Sequence, residues 1–396
     1  MHTGNPALID FIRREIRRSG PVTFAWFMEQ ALYHPQLGYY SSGRCALGRE
    51  GDYFTNVSLG PLFGQLLTAQ FVESWTALGR PSHFTIVEQG AHHGDFARDV
   101  LRSAQERTPD FFNALHYWIV EPFPILQARQ NETLRDFTEK VIWKKSLEDL
   151  EPFCGIHFSN ELLDAMPVHL IRKARSAGPW EERFVDESDD GFGFVTRPMT
   201  DQQLKHYLEA IDGDLPPPYE TEVNLVALEW IEILAQKLTQ GYALVVDYGY
   251  AREDFYAPDR NQGTLQCRAR HRLIESPLLQ VGEIDITAHV DWTSLAEEGE
   301  ANGFRLAGFT DQHHFLTGIV SALMPESFDA GTNQGSRRAL QTLLHPESLG
   351  RAFQFFGLTK NVGSNFSLSG FKFGRDPRAT LGLRLQQPGT RHNPAH

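Results

Sequence analysis

The sequence predicts an α/β protein with a parallel sheet, and three observations predict it. Five short apolar runs of strand length occur at residues 84–90, 117–121, 141–143, 156–161 and 242–249. Helical segments separate the first of these runs, and strands alternating with helices require crossover connections and hence parallel pairing. Carboxylates gather at the ends of the runs, at Glu88, Glu121 and Glu161. In an open α/β sheet that edge is where ligands bind.

The elements follow in order. Leu8, Ile9, Ile12 and Ile16 recur at helical spacing, so residues 7–18 form an amphipathic helix that Gly20-Pro21 stops. Thr23 caps a second helix over residues 24–32. An aromatic turn (34–40) and a glycine-rich loop (43–55) lead to a helix at 63–78. Within the alternating region, helices are expected at 95–105 and 124–137, with the polar stretch 107–113 read as an added loop. The alternation breaks between Val168 and Gln240. Residues 180–185 and 192–196 flank an Asp-Asp-Gly turn and read as a hairpin, and 223–238 as a helix ending at Gly241. This stretch has the character of an insertion between two core strands. The end of the chain, rich in Gly, Pro, Arg and His, has little to bury and is expected to be loosely held.

Composition narrows the function. The chain has 396 residues, 41% of them hydrophobic and 22% charged, which suits a globular protein with a full core. Its net charge of −13 argues against nucleic acid or an anionic membrane as partner, while an acidic field attracts a cationic substrate. Three scattered cysteines, Cys45, Cys154 and Cys267, give neither a disulfide framework nor a zinc motif. No HExxH or HxH occurs, so no metal is expected, and no P-loop or GxSxG elbow is present. No apolar stretch reaches the ~18 residues of a membrane span. The basic stretch 11–18 carries an acid, Glu15, and no signal or clear transit peptide precedes it, so a cytoplasmic location is expected.

The informative segment is Val87-Glu-Gln-Gly-Ala-His-His-Gly94. Glycines between a strand and a helix let the backbone approach a ligand, but the GxGxxG dinucleotide pattern fails. Glu88, two residues before Gly90, suits a ligand with an amino group and no phosphates, a description that S-adenosylmethionine meets; a tight turn is the plainer reading. Glu121, ending the second run, is placed to accept two ribose hydroxyls, or is simply an exposed strand end. Asn160, Glu161 and Asp164 follow the fourth run and would face a reacting centre, unless Asn160 and Asp164 only cap the local turn. Carboxylates there suit a cationic nitrogen such as a guanidinium.

Seven ordered blocks then resemble the MidA-like protein methyltransferase family, which includes the mitochondrial arginine methyltransferase of respiratory complex I assembly. They are YHPQLGYY at 33–40, GDYFT at 51–55, Glu88-x-Gly90-x3-Gly94, NELLDAMP at 160–167, Asp247-Tyr-Gly249, Gly263-Thr-Leu265 with His271-Arg272, and DITAHVD at 285–291. The resemblance implies a class I, Rossmann-like, doubly wound methyltransferase core with a helical cap at 1–80. The core would occupy 81–167 and 241–376, interrupted by a substrate lid at 168–240 and followed by a tail at 377–396. It implies S-adenosyl-L-methionine held by Glu88, Gly90, His92, Gly94, Glu121 and Asn160. It also implies catalysis by Glu161, Asp164 and Asn160, and substrate contacts from Asp52, His271, Asp285 and His289. The expected acceptor is an arginine of a protein, by analogy a respiratory-complex subunit; no pattern fixes the oligomeric state. One departure stands out: the family's loop reads E-x-G-x-G-x-G, and here His92 replaces the middle glycine. Two other readings compete with a protein methyltransferase. One is a small-molecule methyltransferase on the same fold, the other a non-catalytic scaffold that binds the cofactor; intact Asn160, Glu161 and Asp164 favour an enzyme, and His92 favours the scaffold.

Overall fold

The computed structural model describes residues 4–43, 56–175, 178–189, 191–211, 215–269, 272–324, 334–345, 349–363 and 367–383. Helix α1 (Pro6–Ser19) starts at Asn5, whose side chain accepts the Ala7 N–H, and buries Leu8, Ile9, Ile12 and Ile16. Strand β1 (Val22–Thr23) ends in Thr23, which caps α2 (Phe24–Tyr33) by accepting the Trp26 N–H at 3.2 Å. Helix α3 (Leu62–Ala77) precedes β2 (Phe84–Gln89), α4 (Asp95–Arg107) and α5 (Pro109–Ala114). The loop expected at 107–113 is therefore mostly helix, because Phe111 is buried and pulls the segment onto the core.

Next come β3 (Leu115–Val120), α6 (Pro124–Thr133), β4 (Val141–Lys144) and β5 (Phe153–Asn160). Helix α6 stops four residues short of the expected end, and a separate 3-10 turn covers Arg135–Phe137. Strands β6 (His169–Lys173), β7 (Glu181–Ser188), β8 (Gly191–Pro198) and β9 (Tyr219–Val223), with α7 (Gln202–Glu209) between the last two, make up the inserted segment. Helix α8 (Leu225–Lys237) then runs straight into β10 (Leu238–Asp247). Gly241 does not end a helix; it lies within β10 at φ 135°, where a Cβ would stand 1.9 Å from the Gly155 carbonyl oxygen. Strand β11 (Gly249–Tyr250) and helix α9 (Arg252–Phe255) follow. A small sheet comprises β12 (Gln266–Ala269), β13 (Arg272–Leu273) and β14 (Asp285–Thr287). The chain closes with β15 (Val290–Asp291), α10 (Trp292–Ala301), β16 (Arg305–Asp311), α11 (Gln312–Leu323), α12 (Gln334–Leu344), β17 (Gln354–Lys360) and α13 (Pro377–Thr380).

The main sheet has seven strands in the order β16-β17-β10-β5-β2-β3-β4. Strands β10, β5, β2, β3 and β4 are mutually parallel, as expected, while β17 is antiparallel to both its neighbours. The fold is the doubly wound α/β class. The inner strands β2, β3, β5 and β10 are buried on both faces, which explains their apolar runs. Phe84 and Ile86 join one core with Phe63, Phe71 and Phe96, while Val87 joins the other with Trp230, Ile231 and Leu234. The register aligns Gln89 with Val120 and Ser159, and Asn160 with Val246, so the polar strand ends share one edge. A second sheet, β1-β7-β6-β9 with β8 on β7, combines the N-terminal strand with the insertion. One apolar core under it holds Leu8, Phe24 and Phe27 together with Val168, Val185 and Ile286.

The start of the expected loose tail is packed. Leu381 and Leu383 are buried, the Leu381 carbonyl accepts the Thr293 hydroxyl at 2.8 Å, and Arg378 pairs with Glu300. Burying a leucine is worth ~1.5–3 kcal/mol, enough to hold this short segment.

Candidate active site

A cavity of about 950 Å³ opens at the shared strand edge, within the ~300–1,000 Å³ typical of small-molecule sites. Its lining spans Glu88 to Phe96, Val120 to Phe123, Asn160 to Pro167, Tyr248 to Tyr250, and residues from α2 and β14. The crevice lies where β2 and β5 meet, with β3 and β4 on one side and β10 on the other, the switch point of this sheet.

One end of the cavity is built from β2, β3 and the start of α4. Glu88 is buried and accepts the Tyr117 hydroxyl at 2.6 Å; burial pushes its carboxyl up to about 8. Gly90 (φ 80°) and Gly94 (φ 83°) bracket the turn, and a Cβ on Gly90 would meet nothing closer than Leu162 at 3.6 Å. His92 takes φ 45°, the left-handed region that glycine enters at least cost, so the turn keeps a glycine-like backbone despite the side chain. Its ring lies 3.8 Å from that of His93. Gly94 opens α4, leaving the first helical N–H groups free to face an anion. Glu121 is buried at the end of β3, where its Oε1 accepts the Phe123 N–H at 3.0 Å and its Oε2 the Gln130 side chain at 3.0 Å. Burial raises its carboxyl to about 7.

The other end is acidic and aromatic. Asn160, the last residue of β5, donates to Glu161 Oε1 at 2.9 Å and accepts from Asn56 at 3.1 Å. Glu161 sits at φ 54°, a strained position for a side-chain residue, and burial and then Asp247 raise its carboxyl to about 8. Asp164 is pushed well above the usual range by burial, Asp247, Glu161 and Asp285. Asp247 anchors the turn after β5, accepting the N–H groups of Leu162, Leu163 and Asp164 at 3.1, 2.8 and 3.3 Å. From the N-terminal segment, Tyr40 donates to Asp285 and Tyr33 to the Ala165 carbonyl at 3.0 Å, their rings stacked 5.5 Å apart. His289 lies 5.1 Å from the Tyr250 ring and 6.1 Å from that of Tyr248; burial and then Arg260 lower it to about 4, which keeps it neutral.

Of the residues singled out in the sequence, Glu88, Gly90, His92, Glu121, Asn160, Glu161, Asp164, Asp285 and His289 line this one cavity, and Gly94 supports the loop from behind. Asp52 and His271 lie outside the described residues. The arrangement also enlists residues that the sequence did not single out by role. Tyr33, Tyr40 and Asp247 lie within family-like segments of the sequence, and an acid closing the most apolar strand is the signal for Asp247. Asn56 and Gln130 carried no signal.

Comparison with known proteins agrees with this geometry. A family model of S-adenosyl-L-methionine-dependent methyltransferases matches residues 66–310. The mitochondrial protein arginine methyltransferase NDUFAF7 homolog of Drosophila melanogaster is 28% identical over 388 residues, 91% of this chain and 86% of that protein. Human NDUFAF7, also named a mitochondrial protein arginine methyltransferase, is 28% identical over 375 residues, 87% of this chain and 81% of its own. A crystal structure of a COG1565 superfamily member from Burkholderia thailandensis, bound to S-adenosyl-homocysteine, superposes with a TM-score of 0.81 at 31% identity, covering 94% of this chain and 96% of that one. The mitochondrial names belong to the relatives and lend nothing to the cytoplasmic location expected here. Among the described residues no helix is long and apolar enough to cross a membrane.

The cavity fits such a cofactor on its own terms. Gly90 puts bare backbone at the strand end, where a Cβ would already touch Leu162 and Asn160, and each Glu121 oxygen has one protein donor and a further lone pair to offer. With its fold, its strand-end site and the family match in agreement, the chain belongs to the family of S-adenosyl-L-methionine-dependent methyltransferases.

Proposed function

We propose that this protein methylates a guanidinium nitrogen of an arginine in a protein acceptor. The observation that carries the reading is the joining of two sites in one cavity. Glu121 and the Gly90–Gly94 loop line one end, and Glu161, Asp164 and Asp285 line the other, beside Tyr33 and Tyr40. The naming of the relatives as protein arginine methyltransferases supports the same acceptor.

S-adenosyl-L-methionine supplies an electrophilic methyl group on a sulfonium. In this reading Glu121 accepts the ribose hydroxyls, Glu88 faces the amino group, and the α4 N-terminus with Gly90, His92 and Gly94 receives the carboxylate. Asn160 sits between the two ends and helps orient both. Glu161, Asp164 and Asp285 hold the acceptor guanidinium by charge-assisted hydrogen bonds, with His289 as a neutral wall. Asp52 and His271 join the acceptor contacts on the strength of the resemblance alone. The guanidinium nitrogen gains the carbon while the carbon–sulfur bond breaks, and the displaced N–H proton passes to Glu161. That carboxyl lies near 8, and an adjacent cation draws it down, so a guanidinium beside it favours its ionised form.

The test is methyl transfer from radiolabelled S-adenosyl-L-methionine into a protein extract, followed by hydrolysis and chromatography of the methylated amino acids. Label in methylarginine supports the reading, and the labelled protein tests whether a respiratory-complex subunit is the acceptor. Label in lysine, a carboxylate or a small molecule overturns the arginine assignment.

A further inference from the structure

Gln130 plays no part in the proposal above, yet its surroundings fix it closely. The side chain is fully buried on α6. Trp143, on β4, donates its indole N–H to Gln130 Oε1 at 2.9 Å. An indole nitrogen only donates, so the amide oxygen must face Trp143 and the amide nitrogen must face the other way. That nitrogen donates to the His92 carbonyl at 2.9 Å and to Glu121 Oε2 at 3.0 Å. A single amide thus ties the residue that departs from the family's glycine loop to the acid at the end of β3. Neither a glutamate nor a methionine could do this, since both lack the two donors.

We infer that Gln130 is a positioning residue for the nucleoside half of the cofactor. It sets the rotation of the Glu121 carboxylate so that a lone pair on each oxygen faces the cavity, and it holds the His92 carbonyl away from the ligand. Trp143 acts behind it by preventing the amide from turning over. The inference rests on the proposed ribose contact of Glu121.

The test is calorimetric titration of the intact protein with S-adenosyl-homocysteine and with its 2′-deoxy counterpart. The wild type should prefer the ribose form by ~10-fold, as loss of a hydrogen bond to a charged acceptor implies. Gln130→Met should reduce that preference to about threefold or less, and Trp143→Phe, a milder change, should move it the same way. In a Glu121→Ala background the preference should be gone, and adding Gln130→Met should change it no further. If Gln130→Met fails to fold, Trp143→Phe carries the test. Equal weakening of both ligands with the preference intact would mark Gln130 as merely structural and overturn the inference, while a lost preference in Glu121→Ala would leave the ribose contact standing. An unchanged preference in Glu121→Ala would overturn the ribose contact and the inference with it.

Discussion

The Tyr40 hydroxyl donates to Asp285 Oδ1 at 2.5 Å, joining positions 245 residues apart. The bond brings the segment after α2 against the wall of the acidic pocket, so the N-terminal region helps to form the proposed acceptor end. Tyr40→Phe removes a donor from a buried carboxylate, at a cost of ~1.5–3 kcal/mol. The KM for the protein acceptor should rise about tenfold or more, with little change in affinity for S-adenosyl-homocysteine. Steady-state kinetics with each substrate varied in turn checks this, and a selective loss of cofactor affinity would count against it.

Glu121 gives a second prediction. Burial lifts its carboxyl to about 7, and in the proposed ribose contact only the ionised form offers an acceptor to each hydroxyl. Affinity for S-adenosyl-homocysteine should therefore fall as pH drops from about 8 to about 6. Glu121→Ala should bind at least ~10-fold more weakly at the upper pH and lose most of the pH dependence. Calorimetric titration across that range reads both effects.

Stability should also respond to pH. Folded Glu161 and Glu88 titrate near 8, far above an unfolded glutamate near ~4.3. The folded state thus holds more protons than the unfolded chain, so stability falls as pH rises toward 8. His157 and His289, lowered to about 3 and about 4, act in the opposite direction, but only below the ordinary histidine range. The melting temperature without cofactor should therefore decline between about pH 6.5 and about pH 8, and Glu161→Gln should flatten the decline. A melting temperature that rises over this interval would contradict the assignment.

Asp247 is the anchor of the turn carrying Glu161 and Asp164, with Oδ2 serving three N–H groups and Oδ1 the Tyr248 N–H at 2.8 Å. Asparagine must turn its NH2 toward one of these donor sets. Asp247→Asn should destabilise the fold by about 1–3 kcal/mol, seen as a lower urea midpoint at unchanged slope.

These relationships differ in how far the sequence exposes them. The parallel core is legible because strands such as β2 and β10 are buried on both faces, β10 ending on Asp247 and β2 followed at once by Gly90. Strands β16 and β17 are not, because Gly308 and Gly357 interrupt their apolar character. The reason is tertiary: a Cβ at either glycine would stand 2.2 or 2.5 Å from the Phe371 ring. Glu121 and Glu161 stand out as charges ending apolar runs. Gln130 looks like any polar residue on a helix until β3, β4 and the His92 loop converge on its amide. Leu381 and Leu383 likewise look like isolated apolar residues in a polar tail, and only the groove beside α10 makes them part of the core.

In the proposed reaction Glu161 takes part in methyl transfer to an arginine, and one comparison tests this directly. Wild type and Glu161→Gln, each saturated with radiolabelled S-adenosyl-L-methionine, are mixed with the protein acceptor and the methylarginine formed is followed in a single turnover. The variant should bind S-adenosyl-homocysteine nearly as well as the wild type yet form methylarginine ~100-fold more slowly, the loss expected for a positioned acid–base group. Methylarginine appearing at the wild-type rate in Glu161→Gln would contradict the account.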